Sequence, residues 1–194
     1  KELLEKLACR ELVERWGFPR RKRPKFIREI LPMTDPVEPE QQNLSDPHPP
    51  LMFKRLGLNH VPRVLLLERE CYPDPWTHGM FLQELENVNS HFFVAYLDET
   101  IIGYGGFWLL IDEAHVTRVT VNPAYRRRGY GTDIMRYLMD QAYQAGAVIM
   151  RLEVWETNIP AQKMYKKLGF VTEGRRPGYY QSTEEAAILM AYRF

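Results

Sequence analysis

The hydrophobic rhythm of the chain changes several times along its length. Residues 1 to 16, KELLEKLACRELVERW, place Leu3, Leu4, Leu7, Ala8, Leu12 and Trp16 near helical spacing with charges between them. That pattern predicts an amphipathic helix. From 32 to 50 the rhythm stops, because this stretch holds six of the 14 prolines and almost no large apolar residue, the composition of a linker. Then MFKRL at 52 to 56 predicts a strand and HVPRVLLLERECY at 60 to 72 a helix, while WTHGMFLQELEN continues with a second helix capped by Thr77. HFFVAYL and IIGYGGFWLLI flank the turn Asp98, Glu99, Thr100 and predict a hairpin, with EAHVTRVTV as a third antiparallel member. A helix to about Ala145 is closed by Gly146, VIMRLEVW is a strand, and a helix from about Asn158 to Leu168 is closed by Gly169. Two last strands, FVTEG and AAILMAYRF, bracket a loop containing RRPGYY. This order predicts a mixed α/β fold in three parts: a helical extension at 1 to 31, a Pro-rich linker at 32 to 50, and one domain from 51 to 194.

Composition narrows the class. A 45% hydrophobic content with 12% aromatic residues fills a real core and excludes a disordered chain. The longest apolar runs, such as FWLLI at 107 to 111, fall far short of the ~20 residues of a membrane span, and with no secretory signal in view the chain reads as cytoplasmic. Cys9 and Cys71 form no CxxC, and the five histidines (His48, His60, His78, His91, His115) show no HxH or HExxH spacing. The expectation is reduced thiols and no metal. A net charge of +1 hides an asymmetry, because residues 1 to 30 carry ten Lys or Arg against five Glu, centred on RRKRPK at 20 to 25. That block has no interleaved aromatics and belongs to no recognisable binding module, which argues for a solvated basic surface over a nucleic-acid site.

One turn stands out. RRRGYGT at 126 to 132 joins the apolar run HVTRVTV to the helix-like DIMRYLMDQAY. A basic, glycine-rich turn between a strand and a helix gathers backbone N–H groups, the positive helix end and steric freedom at one point, which suits phosphate. An exposed basic turn is the plainer alternative.

Three segments in order decide between them. RRRGYG, LEV at 152 to 154 and NIPAQKMYKKLGF at 158 to 170 resemble the motifs of the GNAT superfamily of N-acetyltransferases. The resemblance covers residues 52 to 194 and implies a mostly antiparallel central sheet flanked by helices, with acetyl-CoA as cosubstrate. More narrowly, Pro75 and Trp76 before the second helix, Glu153 within LEV, and RRPGYY ahead of an acidic pair and AAILM resemble the RimI-type ribosomal-protein-alanine N-acetyltransferases. That implies an acceptor protein N-terminus, an alanine on a ribosomal protein. Residues 1 to 50 have no counterpart in the pattern, and the helix at 1 to 16 is left to dock in cis or on a partner.

Each candidate residue carries two readings. The main chain of Arg127, Arg128, Gly129, Tyr130, Gly131 and Thr132, assisted by Arg126, can cradle a pyrophosphate. Val119 and Val121 can pair their main-chain groups with the pantetheine amides, their side chains being core. Glu153 on the central strand is either a general base for the substrate amine or half of an ion pair with Arg151 or Arg118. Tyr165 is either a packed aromatic or the acid that serves the departing thiolate. Asn158 caps its helix, bonds the cofactor arm, or both. Trp76, Tyr179 and Tyr180 stand where the resembled enzymes close over a peptide, with core packing an equal claim on Trp76. Two further readings stay open: an acetyltransferase for polyamines or amino sugars, favoured by Glu184 and Glu185, and a CoA-binding docking protein without turnover.

Overall fold

The computed structural model describes residues 48 to 180 and 184 to 194. The expected helix at 1 to 16, the basic block at 20 to 25 and the linker up to residue 47 lie outside the described residues. Seven strands form one sheet: β1 (Met52–Arg55), β2 (Ser90–Leu97), β3 (Thr100–Leu110), β4 (Glu113–Val121), β5 (Ile149–Trp155), β6 (Val171–Tyr180) and β7 (Glu185–Arg193). Among the described residues four α-helices accompany them: α1 (Val61–Cys71), α2 (His78–Glu86), α3 (Tyr130–Gln144) and α4 (Ile159–Lys167). The spatial order is β1-β2-β3-β4-β5-β7-β6, and every neighbouring pair is antiparallel except β4 and β5.

Local chemistry sets the helix ends as the spacing predicts. Thr77 accepts a hydrogen bond from the Met80 N–H at the start of α2, and Asn158 accepts one from the Ala161 N–H at the start of α4. Gly146 and Gly169 close α3 and α4 with φ of 94° and 93°, a left-handed conformation that glycine adopts without a Cβ penalty.

The sheet is buried on both faces, which explains why β2 and β3 read as nearly continuous apolar runs. Phe93, Ala95, Phe107, Met150, Leu152 and Val154 pack with Ile134, Met135 and Leu138 of α3 and with Tyr165 of α4. Phe92, Val94 and Tyr104 pack with Val61, Val64 and Leu67 of α1 and Phe81 of α2. His48 also belongs to this body. Its imidazole lies 4.4 Å from the Tyr130 ring and its Nε2 lies 3.4 Å from Asp133 Oδ2, at the start of α3.

Two irregularities of the sheet position the site. The parallel pair β4–β5 is short: Glu113, Ala114 and His115 pair with Ile149, Met150 and Arg151, and beyond them the strands part. The segment RRPGYY, expected as a loop, is instead the end of β6. Its pairing with β7 slips between Arg176 and Tyr180, where Pro177 lacks an N–H and Gly178 has φ of 59°. An edge strand tolerates both.

Candidate active site

The gap where β4 leaves β5 collects most of the candidate residues. On the β3 side, Gly103 faces Val121 and Gly105 faces Val119, while the Asn122 N–H donates to the Ile102 carbonyl at 2.8 Å. Antiparallel pairs alternate between bonded and unbonded, so Arg118, Thr120 and Asn122 bond to β3 and Val119 and Val121 turn their main-chain groups towards the gap. Their carbonyls are already engaged. The Tyr72 hydroxyl donates to Val119 O at 3.1 Å, and Arg126 Nε donates to Val121 O at 3.0 Å. The Val119 and Val121 N–H groups are what the strand offers.

The glycine turn leads directly into α3. Gly129 is its N-cap with φ of 95°, and Gly131 lies in the first turn with its Cα face 3.3 Å from Met164 Sδ for any added Cβ. Arg127 also has positive φ, 63°, so the chain takes two left-handed residues, 127 and 129, on its way into the helix. One expectation changes here. The Thr132 N–H donates to Gly129 O at 2.8 Å, so the cradle loses that amide to the turn itself. The Tyr130 ring is buried, leaving only its main chain to a ligand, and the Arg128 guanidinium lies over Tyr125 at 5.8 Å. A phosphate-bearing ligand fits this donor set: an N-cap glycine, the first amides of a 15-residue helix and three arginines.

Glu153 projects from β5 on the face opposite Leu152 and Val154. Neither arginine named as its alternative partner is bonded to it. Arg151 pairs with Glu113 and Glu173, and Arg118 pairs with Glu68. Instead the Tyr179 hydroxyl donates to Glu153 Oε2 at 3.5 Å. Tyr180 is close enough to both chemical candidates to feel their charge: burial raises its pKa first, and Glu153, Tyr179 and Tyr165 raise it further. Its ring meets Trp155 edge-on at 5.3 Å and Tyr179 at 5.1 Å.

Tyr165 is buried in the core with its ring 5.8 Å from Phe170. Burial pushes its phenol far above the usual value, and Tyr72 adds to the rise. Asn158 is a helix cap, its Oδ1 taken by the Ala161 N–H. Trp76 packs its ring on Phe81 and Phe92 at 5.3 and 6.0 Å, the core packing expected of it, and the Arg118 guanidinium lies over the same ring at 5.2 Å.

Periodicity missed Glu68 as a site residue. It is fully buried in α1, where it takes hydrogen bonds from the Tyr104 hydroxyl, the Arg118 guanidinium and, at 3.0 Å, the Trp76 main-chain N–H. Tyr72 was missed as well; it stacks under Arg118 at 3.7 Å and bonds Val119 O. The signal available was the position of both just before PDPW. Among the described residues, no group of three or more His, Cys, Asp or Glu side chains is placed to hold a metal ion, and no helix is long and apolar enough to cross a membrane.

Comparisons with known proteins agree with this geometry. Residues 61 to 170 match the model of the acetyltransferase (GNAT) family. A Bacillus subtilis (strain 168) protein provisionally named [ribosomal protein bS18]-alanine N-acetyltransferase is 33% identical over 138 residues, 71% of this chain and 91% of that protein. An N-alpha-acetyltransferase of Sulfurisphaera tokodaii is 31% identical over 154 residues, 72% of this chain and 91% of its own. The crystal structure of the ribosomal-protein-S18-alanine N-acetyltransferase from Escherichia coli superposes with a TM-score of 0.69 at 26% identity, covering 74% of this chain and 93% of that one. The chain thus belongs to the GNAT family of acetyltransferases and is an acetyl-CoA-dependent N-acetyltransferase.

Proposed function

We propose that this enzyme acetylates the α-amine of a protein N-terminus, an alanine on a ribosomal protein, by direct attack within a complex that holds both substrates. The observation that carries the proposal is the meeting of Glu153, Tyr179 and Tyr180 beside the point where β4 and β5 part, with Tyr165 on the α4 side of the same gap. The Val119 and Val121 N–H groups would hold the pantetheine arm and the Arg126 to Gly131 turn the pyrophosphate, so that the thioester points at Glu153. Acetyl-CoA supplies the activated acyl group; the side chains manage the protons.

An acceptor amine must lose a proton before it attacks. Glu153 takes that proton, the amine nitrogen bonds the thioester carbon, and the carbon–sulfur bond breaks to leave the thiolate, which takes up the second proton that the nitrogen sheds. An α-amine, with pKa near 8, needs less help than lysine near 10.4. Burial keeps Tyr165 protonated throughout the working pH range. The same burial makes full proton transfer from it costly, so its role is to donate a hydrogen bond to the departing sulfur. Tyr179 and Tyr180 close over the first acceptor residues.

Similarity to enzymes named for ribosomal protein bS18 alanine supports the acceptor. The polyamine reading loses its main support, because Glu185 accepts the Thr157 hydroxyl at 3.1 and 3.0 Å on the outer surface and Glu184 is exposed beside it. The test compares kcat/KM for peptides beginning with a free alanine against Nα-blocked peptides carrying one lysine, and against spermidine. The alanine peptides are expected to be faster by at least tenfold; faster lysine or spermidine turnover would replace the acceptor and leave fold and family standing.

A further inference from the structure

Arg118 is an odd residue to find at the centre of this gap. It comes from β4, lies against the rings of Tyr72 and Trp76 at 3.7 and 5.2 Å, and is close enough to Tyr180 to act on its hydroxyl electrostatically. Three aromatics, two of which, Trp76 and Tyr180, are proposed to border the acceptor, therefore share one guanidinium. Its bonding is divided. Nη2 is committed to the fully buried Glu68, and Nε is enclosed by protein with no acceptor of its own. The side chain nevertheless keeps 18% of its surface exposed, and Nη1 is the one guanidinium nitrogen neither committed to Glu68 nor enclosed. Glu68 in turn is fixed by the Tyr104 hydroxyl and the Trp76 N–H. A donor held this firmly between two rings and a buried carboxylate has lost its rotamer freedom before any substrate arrives.

Its charge decides what it can bind. The Glu68 carboxylate already balances the guanidinium, so the pair as a whole is a neutral dipole whose Nη1 still has N–H groups to donate. That suits a neutral oxygen better than a carboxylate. On an α-amino acceptor the nearest neutral oxygen to the reacting nitrogen is the carbonyl of the first residue, three bonds away. Neither a lysine side chain nor a polyamine has an oxygen at that distance.

We propose that Arg118 is a specificity-determining residue that donates from Nη1 to the first peptide carbonyl of the acceptor, so that the enzyme selects amines attached to an amide. The inference rests on the N-terminal acetylation proposed for this site and names the group by which that acceptor is recognised.

The test uses the full chain and two acceptors: a peptide beginning Ala-Ala, and the same peptide with a trans-alkene in place of its first amide. The alkene keeps the shape and removes the oxygen. Arg118→Lys retains a cation for Glu68 but withdraws the planar fork. The paired variant Glu68→Gln/Arg118→Met removes both charges together, so that neither is left buried alone, and it carries the test if Arg118→Lys does not fold. Wild type is expected to prefer the amide, and the variants to lose about 10- to 100-fold in kcat/KM on it, the worth of a hydrogen bond from a charged donor. On the alkene they should stay within about threefold of wild type, with acetyl-CoA affinity unchanged. Equal losses on both acceptors would overturn the inference, as a merely structural role for Arg118 or a contact with the thioester would produce, and so would an unchanged rate on the amide. A wild-type enzyme that acetylates blocked lysine peptides and not Ala-Ala would instead sink the acceptor reading itself.

Discussion

Gly129 and Gly146 have nearly the same backbone, φ of 95° and 94°, yet they stand at opposite ends of α3 in different surroundings. A Cβ on Gly146 meets nothing within 4 Å, whereas one on Gly129 lies 2.5 Å from His48 Nε2. Alanine at 146 therefore reports the conformational cost of a left-handed residue alone, about 1–2 kcal/mol. For a body of ~150 residues this lowers Tm by roughly 2–8 °C. Alanine at 129 adds the displacement of a half-buried imidazole packed on Tyr130 and Asp133, for a total of about 2–4 kcal/mol. The larger difference is functional. With the pyrophosphate seated as proposed, relaxing φ at 129 would swing the adjoining amides away from it, and each charge-assisted hydrogen bond lost would cost about 1.5–3 kcal/mol. Acetyl-CoA titrated into each variant by calorimetry should thus show Kd raised by about 10- to 100-fold for Gly129→Ala and unchanged for Gly146→Ala. Adding His48→Ala to Gly129→Ala should restore part of the Tm and none of the affinity. Gly129→Ala with wild-type affinity and a Tm equal to that of Gly146→Ala would refute the reasoning on both counts.

Glu153→Gln and Tyr165→Phe should each lower kcat, the first by about 100-fold and the second by at least tenfold, with acetyl-CoA affinity nearly intact; rates that survive both changes assign the proton work elsewhere. Glu68→Ala leaves Arg118 without its buried partner and should cost about 3–5 kcal/mol in urea unfolding, against far less for Glu156→Ala, whose bond to Arg175 lies on the surface. Burial lowers the pKa of His60, His91 and His115 below the ordinary histidine value of 6.5, opposed at His115 by Glu113. The unfolded chain then binds more protons than the folded one between those lowered values and 6.5, so stability is full above 6.5 and lost as pH falls through that window. Tm measured from about pH 7.5 to 5 should decline accordingly, and His115→Gln should flatten the decline; a steeper decline in that variant would contradict the assignment.

The sequence made the elements legible where the determining chemistry is local. Thr77, Asn158, Gly146 and Gly169 act within a few residues of themselves, and the helix ends they predict agree with the structure. RRPGYY misled because Pro177 and Gly178 signal a loop when read in line, whereas an edge strand with a slipped register accommodates both. Glu68 was illegible for a different reason. In LLLERE it has the charged company of a surface residue although its spacing from Val61 and Val64 sets it on the buried face, and its partners Trp76, Tyr104 and Arg118 lie 8, 36 and 50 positions away. Only the packing of α1 across β3 and β4 brings them together. The motif made Glu153 a candidate but not its contact with Tyr179, which was named for a different task, since in sequence nothing links β5 to the end of β6.

The parting of β4 from β5 has a bearing on which acyl groups the enzyme can carry. A strand edge presents donors at a fixed repeat of ~3.3 Å per residue, and it reads the spacing of amides along a linear ligand while remaining indifferent to what hangs from the far end. With the arm laid along Val119 and Val121, affinity for the carrier is set before the thioester is reached. Acetyl, propionyl and longer thioesters should therefore compete for the same edge with similar strength, and on the proposed placement discrimination among them would fall to the walls around the thioester, to which Tyr180 and the buried Tyr165 would contribute. Tight binding of a poorly transferred acyl chain is the failure this architecture invites: such a chain would inhibit in proportion to its abundance, and trimming one of those two walls would convert the inhibitor into a substrate.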